Sequence, residues 1–175
     1  MKKIFVSFAI ITALIVGCKT STKSNDAKTL TIALEPKSNS TVAGTATFTE
    51  KEGKVTFVAK ITGLQPGVHA IHIHEKADCS SADGSSAGGH WNPTFKKHGK
   101  WGVAEYHKGD IGNFTADAKG NGSITLTTDE WCIGCGDETK DILGKGLIVH
   151  QGSDDFTTQP TGNAGGRVAC AGIIK

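Results

Sequence analysis

A chain of 175 residues, 37% of them apolar, has material for one sizeable core, and no polar linker in its middle argues for two domains. Lysine and arginine number 19 against 17 acidic residues, for a formal charge of +2. The excess comes from Lys2 and Lys3, so the chain without residues 1–17 balances at 17 to 17 and offers no basic footprint for nucleic acid.

Residues 1–17 open with two lysines and continue in an uncharged apolar run from Ile4 to Val16, the layout of a signal peptide and too short for a comfortable membrane span. Its end, Leu14-Ile15-Val16-Gly17-Cys18, resembles a bacterial lipobox, which implies that Cys18 is lipidated and becomes the first mature residue. A diacylglyceryl group would supply the more than one acyl chain that stable anchoring needs. Residues 18–28 then read as a polar tether, leaving 29–175 as the folded domain. Four further cysteines, an even number in a chain bound for an oxidising compartment, favour disulfides, with three pairings open.

From Leu30 onward apolar residues recur with period two, and Gly, Pro and Asn separate the runs. The pattern predicts eight strands, at about 28–35, 41–50, 54–63, 68–75, 110–117, 122–128, 145–151 and 167–174. An all-β sandwich or flattened barrel follows. Two segments, 76–109 and 152–166, break the rhythm. Long loops in a compact domain are commonly functional, and the first contains three histidines.

Strand alternation places His72 and His74 on one face and His69, Ile71 and Ile73 on the other, making a chelating pair on a rigid element. Leu147 and Val149 face the core, so His150 faces out with that pair. On the intervening loop His90, His98, His107 and Asp110 can fold around one ion, and three imidazoles with a carboxylate form a closed tetrahedral set suited to zinc. His72, His74 and His150 with His90 give four nitrogens, a set suited to copper. Both sets need His90.

Four motifs in order, Gly67-Val68-His69-Ala70-Ile71-His72-Ile73-His74, Gly88-Gly89-His90-Trp91-Asn92-Pro93, His107-Lys108-Gly109-Asp110-Ile111-Gly112-Asn113 and Gly162-Asn163-Ala164-Gly165-Gly166-Arg167-Val168-Ala169-Cys170, closely resemble the copper/zinc superoxide dismutases over about residues 29–175. The resemblance implies an eight-stranded antiparallel Greek-key β-barrel or sandwich with two long functional loops. It implies copper on His72, His74, His90 and His150, and zinc on His90, His98, His107 and Asp110, with His90 as a bridging imidazolate whose two protons are replaced by two cations. It further implies a Cys79 to Cys170 disulfide, Arg167 as the cation that positions superoxide, and Asp154 as the carboxylate linking His72 to His98. His69 falls where the family packs a histidine beneath the metal strand. The implied reaction converts superoxide to dioxygen and hydrogen peroxide in two redox steps, with His90 supplying a proton. The implied setting is the periplasm, on a membrane, more readily the outer one.

The segment between His150 and Arg167 is shorter than in familiar eukaryotic members, and Pro160 stands where a lysine often helps draw in the anion; Lys76, Lys96 or Lys97 are candidates to compensate. An insertion carries Cys132-Ile133-Gly134-Cys135, for which a local structural disulfide is favoured over a labile dithiol or an accessory metal site. A homodimer is compatible with the family, but the insertion lies near the region through which eukaryotic members pair, so that mode is not carried over. Two other readings compete: a non-catalytic periplasmic copper/zinc-binding lipoprotein, and a structural sandwich with vestigial ligands. Arg167 and the complete ligand set favour the enzyme.

Overall fold

A computed structural model describes residues 26–175, so the leader at 1–17, Cys18 and most of the tether lie outside the described residues. Eight strands form: β1 (Lys28–Pro36), β2 (Ala43–Lys51), β3 (Lys54–Thr62), β4 (Gly67–His74), β5 (Gly112–Ala116), β6 (Gly122–Thr128), β7 (Gly146–His150) and β8 (Arg167–Gly172). They close an antiparallel barrel in the order β1-β2-β3-β6-β5-β4-β7-β8. Strands β4, β5 and β6 run as neighbours while β7 returns to the free side of β4, which is a Greek key. Two seams are thin: β5 meets β6 at the single pair Ala116 and Gly122, and β1 meets β8 at two pairs. The barrel is therefore flattened, with a sandwich-like core between its two broad faces.

The predicted fifth strand starts too early. Asp110 is not on a strand but in the turn before β5, because its carboxylate accepts the backbone N–H groups of Gly99 (3.1 Å) and His107 (2.8 Å). That turn aims Asp110 at the loop histidines instead of into a ladder. The other strands form as expected with ends shifted by a residue or two.

Alternation decides which side chains fill the barrel. Ile71 and Ile73 of β4, Leu147 and Val149 of β7, and Phe48, Phe57 and Ile61 of the opposite wall share one buried cluster. Trp131, from the insertion between β6 and β7, caps it with its ring centroid 6.4 Å from Phe48 and 6.3 Å from Phe57. Its indole N–H donates to the Lys108 carbonyl (2.9 Å), so the insertion also holds the segment next to His107. Glu130 reinforces this contact by accepting from Tyr106 Oη (2.5 Å) and by pairing with Lys108.

Outside the barrel wall, Ile148 and Cys170 pack with Ala87 of the first long loop, and Cys79 is disulfide-bonded to Cys170. This bond closes the chain across a sequence separation of 91, whereas the second, Cys132 to Cys135, spans only 3. Denatured-state entropy makes the long closure worth about 4.5 kcal/mol and the short one about 2 kcal/mol. Replacing Cys79 and Cys170 together by Ala should lower the unfolding free energy from urea titration by that larger amount, while Cys132 and Cys135 replaced together should lower it by no more than about 2 kcal/mol. Equal losses for the two pairs would contradict the assignment.

Candidate metal centre

Backbone pairing brings the histidines together before any side chain contributes. The loop carrying His90 lies against the end of β4 as an added strand: His90 bridges to His74, Trp91 N–H donates to Ile73 O (2.9 Å), and Glu75 N–H donates to Gly89 O (3.0 Å). The chain returns through Gly109, whose carbonyl accepts from Ile73 N–H (2.9 Å). A Cβ at Gly109 would stand 2.1 Å from Ile73 O, so only glycine lets His107 and Asp110 approach β4 this closely. On the other edge of β4, Ile71 pairs with Val149, which sets His150 beside His72 with ring centroids 4.9 Å apart.

Two sets result. The candidate ligand atoms of His72, His74, His90 and His150 lie within 4.8 Å of one another, as do those of His90, His98, His107 and Asp110. His90 belongs to both. His72 and His74 do face away from the barrel core, but not into solvent: each is 0% exposed, roofed by the two long loops. Alternation fixes the face, and the loops decide what covers it.

Hydrogen bonds select which nitrogen each ring leaves over. His74 Nδ1 donates to Gly88 O (2.9 Å) and His150 Nδ1 to Gly165 O (3.3 Å), freeing Nε2 in both. His72 Nε2 and His98 Nε2 donate to the two oxygens of Asp154, at 2.9 and 2.8 Å, freeing Nδ1 in both. His90 Nδ1 meets Asp110 Oδ1 (2.8 Å), which leaves its Nε2 for the strand set. His98 Nδ1 and His107 Nδ1 come within 3.0 and 3.3 Å of Asp110 without hydrogen-bond alignment. Among the described residues, seven buried side-chain polar atoms have no hydrogen-bond partner, and six are the nitrogens His72 Nδ1, His74 Nε2, His90 Nε2, His98 Nδ1, His107 Nδ1 and His150 Nε2. A buried polar atom left unpaired costs about 1–3 kcal/mol, so six of them converging on two points describe places for cations.

Charge differs between the sets. Burial first, then the neighbouring imidazoles, hold His74 and His150 well below the ordinary histidine range, and His90 falls to about 4. His74, His90 and His150 are thus neutral and present lone pairs. In the loop set burial opposes protonation of His98, yet the carboxylates of Asp110 and Asp154 lift it to about 9. Asp110 lies far below the usual carboxylate range because the His107, His90 and His98 rings around it outweigh its burial.

Arg167 stands opposite His150 because the β7–β8 register shifts between Val149 and His150. Its guanidinium donates to Gly84 O (2.7 Å) and Gly88 O (2.8 Å), sharing the latter with His74. Of the lysines expected to compensate for Pro160, Lys96 Nζ donates to Ala104 O (3.4 Å), and Lys76 and Lys97 are exposed. His69 packs under the site, its ring nitrogens within hydrogen-bond distance of the carbonyls of His150 (3.0 Å) and Gln65 (2.8 Å).

Three supporting residues were not legible as such in the sequence. Gln159 brackets the His98 backbone, accepting from its N–H and donating to its carbonyl, both at 2.9 Å. Asn113 does the same for Asp154, with both contacts at 2.8 Å. Gly162, at φ +68°, would place a Cβ 1.8 Å from Asp154 Oδ1 and 2.6 Å from His98 Nε2. Only its position in a glycine-containing motif hinted at a close approach.

Comparison with known proteins agrees with this geometry. The sequence model of the family described as copper/zinc superoxide dismutase (SODC) matches residues 42–173, so β1 is placed by the barrel and lies outside the match. Among solved structures, one described as a crystal structure analysis of the clock protein EA4 superposes with a TM-score of 0.71 at 38% identity, covering 82% of this chain and 94% of that one. With the barrel, the two histidine sets and a match over most of its length, the chain belongs to the copper/zinc superoxide dismutase family.

Proposed function

We propose that this chain converts superoxide to dioxygen and hydrogen peroxide at a copper and zinc centre bridged by His90. The observation that carries the reading is the group of six unpartnered imidazole nitrogens that His90 divides into two sets, with Arg167 beside one of them. Four nitrogens, from His72, His74, His90 and His150, suit copper. Three nitrogens and the Asp110 carboxylate form a closed shell that suits zinc in a structural role. Copper, when bound, supplies the one-electron redox couple that dismutation requires.

The protein supplies geometry, charge and a proton position. Arg167 is held by two loop carbonyls beside His150, where its cation attracts and orients a small anion. His90 keeps Nδ1 turned toward Asp110, so Nε2 is the atom able to hold a proton destined for peroxide. Asp154 fixes the orientation of His72 and His98 together, and Asn113 fixes Asp154.

The proposal extends to the cell envelope: an exported, periplasmic protein anchored through Cys18, more readily to the outer membrane, with the polar stretch at 18–28 as tether. It rests on the sequence of residues 1–28, and the pairing of the four other cysteines supports an oxidising compartment.

Protein loaded with copper and zinc should consume superoxide in pulse radiolysis, and His72→Ala should not. Arg167→Ala should retain both metals yet lose roughly tenfold in kcat/KM with a flatter salt dependence. Binding of both metals without turnover would favour the metal-store reading instead.

Gly162→Ala drives a methyl group into the Asp154 to His98 contact, so zinc affinity should fall about tenfold or more in a chelator competition. Unchanged zinc retention would show that Asp154 does not position His98.

Metal uptake by the loop set should also be coupled to pH. His98 holds its proton up to about 9 in the metal-free protein, and zinc must displace it. Below that pH, binding releases a proton and the apparent affinity drops roughly tenfold per unit of falling pH. Calorimetry in buffers of differing ionisation enthalpy reads the released proton; none at pH 7 would refute the coupling.

A further inference from the structure

The insertion between β6 and β7 carries a bonded cysteine pair that serves neither metal set. We propose that Cys132–Cys135 is a reversible thiol–disulfide exchange site, which accepts two electrons from a dithiol reductant through attack at Cys135.

Access comes first. Cys135 is exposed, whereas Cys132 is 7% exposed and sits between the buried side chains of Trp131 and Ile133. An incoming thiolate therefore reaches one sulfur of the bond and not the other. The second disulfide is less open: Cys170 is 0% exposed and packs with Ile148 and Ala87, and Cys79 is only partly exposed.

Redundancy is the second argument. The loop that the bond closes is already closed by other means. Asp141 accepts the backbone N–H groups of Gly134 (2.9 Å), Gly136 (2.9 Å) and Leu143 (3.1 Å). Cys132 itself bridges to Asp141, donating to Lys140 O (2.9 Å) and accepting from Ile142 N–H (3.1 Å). Breaking the sulfur–sulfur bond removes none of these contacts. The reduced pair stays positioned for reclosure, because Cys132 is fixed on both sides by buried neighbours and Cys135 follows three residues later across the turn at Gly134.

The step balances as an ordinary exchange. The thiolate of the dithiol attacks Cys135 Sγ, forming a mixed disulfide and breaking the bond to Cys132. The electron pair departs on Cys132 Sγ, which takes up a proton. The second thiol of the reductant then attacks its own sulfur in the mixed disulfide, releasing Cys135 as a thiol and leaving as a cyclic disulfide. Two electrons and two protons pass from reductant to protein.

The folded chain, incubated with dithiothreitol without denaturant, alkylated with iodoacetamide and mapped by peptide mass spectrometry, should acquire label at Cys132 and Cys135 at least about tenfold faster than at Cys79 and Cys170. Near-ultraviolet circular dichroism should stay unchanged, and oxidised glutathione should restore the bond. Two variants separate the sulfurs: in Cys132→Ser the remaining Cys135 should form a mixed disulfide with oxidised glutathione, while in Cys135→Ser the buried Cys132 should react about tenfold more slowly or not at all. Label reaching both pairs together, label appearing only as the circular dichroism signal collapses, or Cys132 reacting faster than Cys135 would each overturn the proposal.

Discussion

One buried carboxylate couples the two halves of the site. Asp154 accepts from His72 on β4 through one oxygen and from His98 on the long loop through the other, so a strand and a loop with little core of its own share a single anchor. The anchor is itself fixed, by Asn113 on two sides and by Phe156 N–H, which donates to Oδ1 (2.7 Å). The bonds from His72, His98 and Phe156 hold Asp154 well below the usual carboxylate range, against its burial. The consequence for the site is tautomer choice: each ring spends Nε2 on Asp154 and has Nδ1 left for a cation.

The two sets differ in charge although they share a residue. On the strand side imidazoles crowd one another with no carboxylate touching His74 or His150, and burial keeps them neutral. On the loop side two carboxylates stand among three rings. A cation entering the strand set meets the lone pairs of His74, His90 and His150, while one entering the loop set neutralises Asp110 and displaces a proton. His90 lies on the boundary, with Nδ1 on the charged side and Nε2 on the neutral side. This polarity makes it the ring through which occupancy of one set alters the other.

Much of this was legible in the sequence because strand alternation has no freedom: once Ile71 and Ile73 face the core, His72 and His74 must share the opposite face. The spacing of His90, His98, His107 and Asp110 likewise limits how a loop can close. What the sequence did not show depends on register and on contacts between distant loops. Asp110 read as the first residue of a strand because a β-type run follows it, but capture of two backbone N–H groups keeps it in the loop, among the loop histidines. Trp131 read as part of an insertion and is instead a core residue, 1% exposed, since nothing local signals that a loop folds back over the barrel end. Gln159 and Asn113 act on backbone groups 61 and 41 residues away, and no periodicity encodes such a contact.

The position of Arg167 shows how a small irregularity can decide which side chain faces the histidines. In a regular β7–β8 ladder His150 would face Val168, because Val149 faces Ala169; the register shift after Val149 brings Arg167 opposite His150 instead. Its guanidinium then holds the Gly88 carbonyl, which also fixes His74, and the Gly84 carbonyl of the loop that Cys79 ties to Cys170. A Cβ at Gly84 would lie 3.4 Å from the Arg167 side chain, so the loop follows the arginine closely along its length. The disulfide restrains that loop from one end and Arg167 from the other, and the His74 ring is oriented by the same carbonyl that orients the guanidinium. A change in the loop's path would therefore move the His74 imidazole and the Arg167 guanidinium together, because both hold the same Gly88 carbonyl.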